Sequence, residues 1–347
     1  MKNTLLILVL ISSSFFGFGQ EQSFPKFEMD VNCYSSSIKS QGRTGTCWSF
    51  SASSFLESEY QKKTQKEIDL SEIFTVRNIY FDKAEKYLRY HGLNNFSQGS
   101  LGHDVIRSYH ENGIVPESVY SGLLEDSVHN HSAMANELKG FLDSMLANKP
   151  IEADWKKGFD AILHKYIGTP PEMFEYEGVL YNPQSFAKKF IGLDKENYIG
   201  FTSFTHHPTY SKFDLEVPDN YSHGLYHNLE LDDLIDVMNE ALKQGYTIEW
   251  DGDVSEKGFR TRQGVAVWNN DSADLSKLPV LPNEGTVSAN LRQELFDNHK
   301  TTDDHLMHIV GLAHTPEGKT FYLTKNSWGT RAGNGGFMYM SEAYIKM

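Results

Sequence analysis

Cysteine is scarce in this chain, with two residues in 347. That count excludes a disulfide-scaffolded fold and a four-cysteine zinc centre. Basic runs are missing too. Thirty-two Lys and Arg face 46 Asp and Glu, a net charge of −14. Such an excess works against nucleic-acid binding, which is driven by phosphate neutralisation. No apolar stretch reaches the roughly 20 residues of a spanning helix. Disorder is excluded by a composition of 39% hydrophobic and 13% aromatic residues, because unfolded chains are poor in aromatics. At about 150 residues per domain, the length allows two domains or one large one, with a substantial core.

What is present begins with a leader. Lys2 precedes the mostly apolar Leu5–Phe16, then small Gly17 and Gly19, then polar Gln20, Glu21 and Gln22. This is the layout of a secretory signal peptide over residues 1–19, cut near Gly19. The mature chain is expected to be exported, periplasmic or secreted, in a compartment that permits disulfides but with only Cys33 and Cys47 to form one.

Periodicity divides the rest. Residues 23–46 read as an irregular arm. From Cys47, apolar Trp48, Ala52, Phe55, Leu56 and Tyr60 recur at helical spacing. Helices are predicted over 71–90, over 99–112 with Gly113 as the stop, and over 134–146 and 184–191. Residues 200–228 read as a long ordered loop. Leu231, Leu234, Ile235, Met238, Ala241 and Leu242 form one helical stripe closed by Gly245. Strands are predicted over 246–250, 308–314, 320–325 and 337–340. The pattern is α+β with segregated halves: 20–245 mainly helical, 246–347 mainly strand.

The chemistry centres on Gln41-Gly-Arg-Thr-Gly-Thr-Cys47-Trp48-Ser-Phe50. A thiol attacks as its thiolate, and the unpaired N–H groups and positive dipole of a helix's first turn favour that form. The other common fate of a free cysteine is as a small buried hydrophobe. Gly42 and Gly45 permit a tight loop before the helix. Gln41, six residues upstream, has an amide that can join the Cys47 N–H as an oxyanion donor. Cys47 also needs a His as base and a third group to hold that ring. His308 opens the apolar run Ile309-Val310-Gly311, and the next strand ends in Lys325-Asn326-Ser327-Trp328-Gly329. Neighbouring strands are expected to bring Asn326 beside His308, with Trp328 shielding the bond and His305 on the rim, touching substrate.

These segments resemble the papain-like cysteine peptidases. The Gln-to-Cys spacing, Cys-Trp-Ser-Phe and Asn-Ser-Trp-Gly all match that family's motifs in order. The 261 residues from Cys47 to His308, Leu306-Met307 before the His, and the spacing from Asn326 to Phe337 look most like the bleomycin hydrolase and aminopeptidase C branch. The stretches 80–115 and 246–259 look similar to that branch's helical insert and pre-His strand. The resemblance implies a two-lobed papain-like fold with a large helical insertion, and amide hydrolysis of peptides through a thioester, without a cofactor. It also implies roles: Cys47 as nucleophile, His308 as ion-pair partner, Asn326 as orienter and Gln41 as oxyanion donor, with Trp48 and Trp328 in support. The sequence departs from the pattern in two places. Thr44 stands where many such enzymes have a structural cysteine, and Cys33 is read as free. Only 21 residues follow Asn326, so the C-terminal arm that restricts the branch to N-terminal cleavage has no visible counterpart. That leaves aminopeptidase and endopeptidase modes open, and with them a homo-oligomer.

Two rivals belong to other classes. Asp303-Asp304-His305-Leu-Met-His308 offers metal-type ligands, but no third His has clear spacing, and no metal is expected. A non-catalytic binding module of the same fold would have lost one of Cys, His or Asn, and all are present.

Overall fold

The computed structural model describes residues 25–124, 128–268 and 281–347. The leader over 1–19 lies outside them. No helix among the described residues is long and apolar enough to cross a membrane.

Helix α1 (Cys47–Thr64) is buried on nearly every side. It is not amphipathic because it runs between two lobes. Trp48, Ala52, Leu56 and Tyr60 enter the helical core, while Ser49, Ser51, Ser53, Ser54 and Ser58 are buried as well. Small serines let neighbours approach closely, and two of them return their hydroxyls to the backbone: Ser49 Oγ donates to Glu72 O and Ser58 Oγ to Tyr34 O. Against α1 pack α2 (Glu72–Arg89), capped by Ser71 Oγ accepting from Phe74 N, and α3 (Gly102–Asn112), stopped by Gly113 at φ +81°. Helices Ser132–Ala147 and Trp155–Ile167 extend this lobe.

The sheet lobe is built around the strand His305–His314. Along one edge runs Thr320–Lys325, then Phe337–Ser341, Val265–Ala266 and Phe259–Arg260. Along the other edge Ile248–Gly252 pairs with its first half, and Glu28–Asn32 with its second. The central strand is buried for nine of its ten residues, which suits its unbroken apolar run. Residues 342–347 turn into the same core, where Tyr344, Ile345 and Met347 are buried.

The segregated α+β pattern is therefore real, with two differences of boundary. The helix Leu231–Lys243 puts Ile235, Met238 and Leu242 into the sheet lobe's core, and the strand Glu28–Asn32 joins its sheet. A division at residue 245 cuts through that lobe. The stretch 200–228 is also more than a loop, since Phe201–Thr202, Leu225–Asn228 and Lys212–Asp214 form a small sheet. Among the described residues three helices escaped periodicity, Trp155–Ile167, Ala289–Asp297 and the short Glu342–Lys346.

Candidate active site

Cys47 is the first residue of α1, and the loop before it is tied down from several directions. Gln41 N donates to Ser327 O at 2.8 Å, and Ser327 Oγ donates to Gln41 Oε1 at 2.6 Å. These bonds fix the Gln41 amide, whose Nε2 donates one N–H to Thr44 O at 2.7 Å; an amide nitrogen carries a second. Gly42 holds φ +64°, and a Cβ there would stand 2.4 Å from His129 O. Gln98 clamps both sides of the cysteine: Oε1 accepts from Gly45 N and its carbonyl from Trp48 Nε1, each at 2.9 Å. The Cys47 N–H belongs to the first turn, which has no intrahelical acceptor.

The imidazole bonded to Asn326 is His305, whose neighbour in sequence, Leu306, lies against Cys47. Its Nε2 donates to Asn326 Oδ1 at 2.9 Å, and Trp328 lies over its ring at a centroid distance of 4.7 Å. Asn326 Oδ1 also accepts from Ser327 N at 2.7 Å, which sets the amide's orientation. With Nε2 engaged, Nδ1 is the ring nitrogen left to exchange a proton. The Cys47 sulfur lies against the backbone N–H of Leu306, the next residue.

This corrects the expected pairing of Asn326 with His308. The strand begins at His305, three residues earlier than the apolar run suggests. Side chains alternate along a strand, so residues three apart face opposite ways. His308 is registered against Lys325, and Asn326, one residue on, falls to the other face with His305. His308 points into the interior, fully buried, with Nδ1 bonded to Ser54 Oγ at 2.8 Å; Lys325 Nζ donates to the same hydroxyl at 2.7 Å. The rim position given to His305 is likewise replaced, since the residue is 4% exposed and sits at the centre.

Burial acts on the pair in one sense. It pushes the Cys47 thiol up to about 12, with Asp251 and Asp219 adding to the rise and the N–H groups of Leu306 and Trp48 opposing it. It pulls the His305 imidazole down to about 4, against the bond to Asn326. Each group alone prefers its neutral form. A proton passed from a buried thiol to an imidazole beside it would set opposite charges together, which offsets both penalties. His308 is driven well below the ordinary histidine range by burial and by Lys325, so it stays neutral.

The alternation that separates His305 from His308 also dissolves the metal cluster read across Asp303–His308. A different trio gathers ligand atoms within 4.8 Å of one another: His206, His207 and Glu216, on the surface of the small sheet. Cys33 and Cys47 are both free, Cys33 with its Sγ directed to Leu242 O. Sequence reasoning missed Asp219, Glu249 and Asp251 around the site and read Asp303 only as a metal-type ligand. One signal was available: the acids at 249 and 251 alternate along one face of the strand Ile248–Gly252.

The chain was compared with known proteins. Residues 113–347 match the Peptidase C1-like family, and residues 26–121 match the papain family of cysteine proteases. The chain is 25% identical to aminopeptidase C of Lactobacillus delbrueckii subsp. lactis, over 92% of this chain and 79% of the relative. It is 23% identical to aminopeptidase G of the same organism, over 89% and 78%. Among solved structures, PepW of Lactobacillus rhamnosis HN001 superposes with a TM-score of 0.70 at 21% identity, covering 92% of this chain and 80% of that one. That likeness shows the two-lobed fold.

Proposed function

The chain belongs to the Peptidase C1-like family, and from that premise we propose that it is a cysteine aminopeptidase acting on peptides with Cys47, His305 and Asn326 as its catalytic group. The observation that carries the assignment of the base is the 2.9 Å bond from His305 Nε2 to Asn326 Oδ1 beneath Trp328. It fixes the tautomer and leaves Nδ1 as the ring nitrogen that can exchange a proton with the nucleophile.

The reaction follows from the placement. Nδ1 of His305 takes the thiol proton as Sγ bonds to the substrate's carbonyl carbon. Charge moves to the carbonyl oxygen, where the Cys47 N–H and the second Gln41 amide N–H are the available donors. The imidazolium then protonates the leaving amine as the C–N bond breaks, leaving a thioester. Water, deprotonated by His305, hydrolyses it and restores the thiol. The names of the relatives support an aminopeptidase mode for this chain. The leader sequence supports export, which fractionation of cells expressing the full chain would check.

A cysteine-directed epoxide tests the reading. It is expected to label Cys47 and abolish hydrolysis of aminoacyl amides, while a chelator leaves the rate unchanged. Hydrolysis that survives the epoxide and stops with the chelator overturns it. Efficient cleavage of N-blocked peptides at internal bonds replaces the aminopeptidase mode with an endopeptidase one.

A further inference from the structure

Four acidic residues from distant parts of the chain gather at the lobe junction beside Cys47. Asp251 and Glu249 lie on Ile248–Gly252, registered against Leu306 and His308. Asp303 stands two residues before His305, and its carboxyl faces that of Asp251. Asp219 arrives on the loop after Lys212–Asp214 and lies over Gly99, where a Cβ would stand 1.7 Å from its Oδ2. Glu249 fills the space over Gly102 in the same way. These two glycines leave room for carboxylates.

The set lacks counter-charge. Glu249 Oε1 and Asp251 Oδ1 are buried without a hydrogen-bond donor, and Asp303 has only the Asp251 carboxyl and the Asp219 backbone beside it. Among the described residues, no Lys, Arg or His forms an ion pair with Glu249, Asp251 or Asp303. The nearby cation, Lys83, donates to Gly99 O and stands by Asp219 and Asp104. Asp219 itself accepts from Asn95 and Ser97. Buried carboxyls without partners are costly, and a cation arriving in the cleft removes that cost. Their oxygens do not converge as metal ligands do: among the described residues, His206, His207 and Glu216 alone meet that condition.

We propose that Asp251 and Asp303, with Asp219 beside them, hold the free α-ammonium group of the substrate's first residue. This rests on the peptidase reading above and supplies its recognition element. Bond lengths favour the α-ammonium over a side-chain cation. The α-nitrogen is two bonds, about 2.5 Å, from the carbonyl carbon that Cys47 attacks. A lysine or arginine head group lies several bonds farther off. Of these acids, Asp251 and Asp219 act electrostatically on the Cys47 thiol. When ionised those acids oppose formation of the thiolate, and burial favours the neutral form of Asp251 while the cleft is empty. A bound ammonium neutralises them, so a free amine promotes attack as well as binding.

The test compares leucyl-aminomethylcoumarin with its N-acetyl counterpart, using the full chain, Asp251→Asn and Asp303→Asn. The wild type is expected to prefer the free amine, and each variant to shrink that preference at least about tenfold, with kcat falling as well as kcat/KM. Alkylation of Cys47 by iodoacetamide reports on folding, and Asp303→Asn, at a half-buried site, carries the test if Asp251→Asn does not fold. A preference unmoved in the folded variants overturns the proposal. So does a loss confined to lysyl-aminomethylcoumarin, or a cluster that responds to calcium and to chelation. The peptidase reading fails separately: the wild type then cleaves neither substrate, or Cys47→Ser cleaves both as before.

Discussion

His305 and His308 stand three residues apart on one strand and face different worlds. His305 Nε2 meets Asn326 at 2.9 Å in the cleft, and His308 Nδ1 meets Ser54 at 2.8 Å in the interior. Replacing them should have opposite signatures. His305→Ala is expected to lower kcat/KM by about 10²–10⁴ with little change in Tm. His308→Ala should cost about 1–3 kcal/mol of stability, with a loss of rate at least about tenfold smaller than that of His305→Ala. Thermal melts and kcat/KM on the two variants check both.

Alkylation of the thiol should expose the part played by His305. Burial, Asp251 and Asp219 push the Cys47 thiol up against the N–H groups of Leu306 and Trp48, and in His305→Ala no imidazole stands ready to accept its proton. The thiolate is then a minor form at neutral pH. The rate of iodoacetamide labelling is expected to rise through pH 10 with no plateau below it. In the wild type, the imidazole that accepts the proton brings the reactive form to lower pH.

Asn326→Ala removes one charge-assisted hydrogen bond to the imidazole. A loss of about 1.5 kcal/mol corresponds to about tenfold in rate. The effect should appear in kcat and kcat/KM alike, because the bond is needed when the ring carries charge. A change confined to KM would place Asn326 outside the catalytic group.

Glu249 makes stability depend on pH in a predictable direction. Its carboxyl is held up to about 8 by burial, with Asp104 adding to the rise. A raised carboxyl binds its proton in the folded state, so its stability contribution is complete below the unfolded value. It is lost as pH climbs through the folded one. Glu249→Gln mimics the protonated form and is expected to raise Tm at pH 8.5 and to leave it nearly unchanged at pH 5.

Gly42→Ala should be damaging beyond its size. The position holds φ +64°, and a Cβ would lie 2.4 Å from His129 O. A cost above about 1 kcal/mol is expected, with kcat falling because the adjacent Gln41 amide loses its placement. Calorimetry and kinetics on one preparation separate the two effects.

Much of this architecture was legible in the sequence. The spacing of Trp48, Ala52, Leu56 and Tyr60 marks α1, and the Gln41–Cys47 and Asn326–Gly329 motifs mark two walls of the site. The choice between His305 and His308 was not, because it depends on strand parity. An apolar run shows where a strand is buried but not at which residue it starts. The short strands over 201–228 and the arm strand Glu28–Asn32 are made by long-range pairing, which leaves little local periodicity. The acid group was dispersed over positions 219, 249, 251 and 303, and only the fold assembles it.

Helix α1 and the strand His305–His314 are fastened to each other twice. Cys47 lies against Leu306 at one point, and Ser54 bonds His308 at the other. The two elements thus form a jig in which the buried Ser54–His308 pin sets the alignment of helix and strand. Slippage between the lobes must first break that pin, so the interior of the protein holds the tolerance to which its cleft is machined.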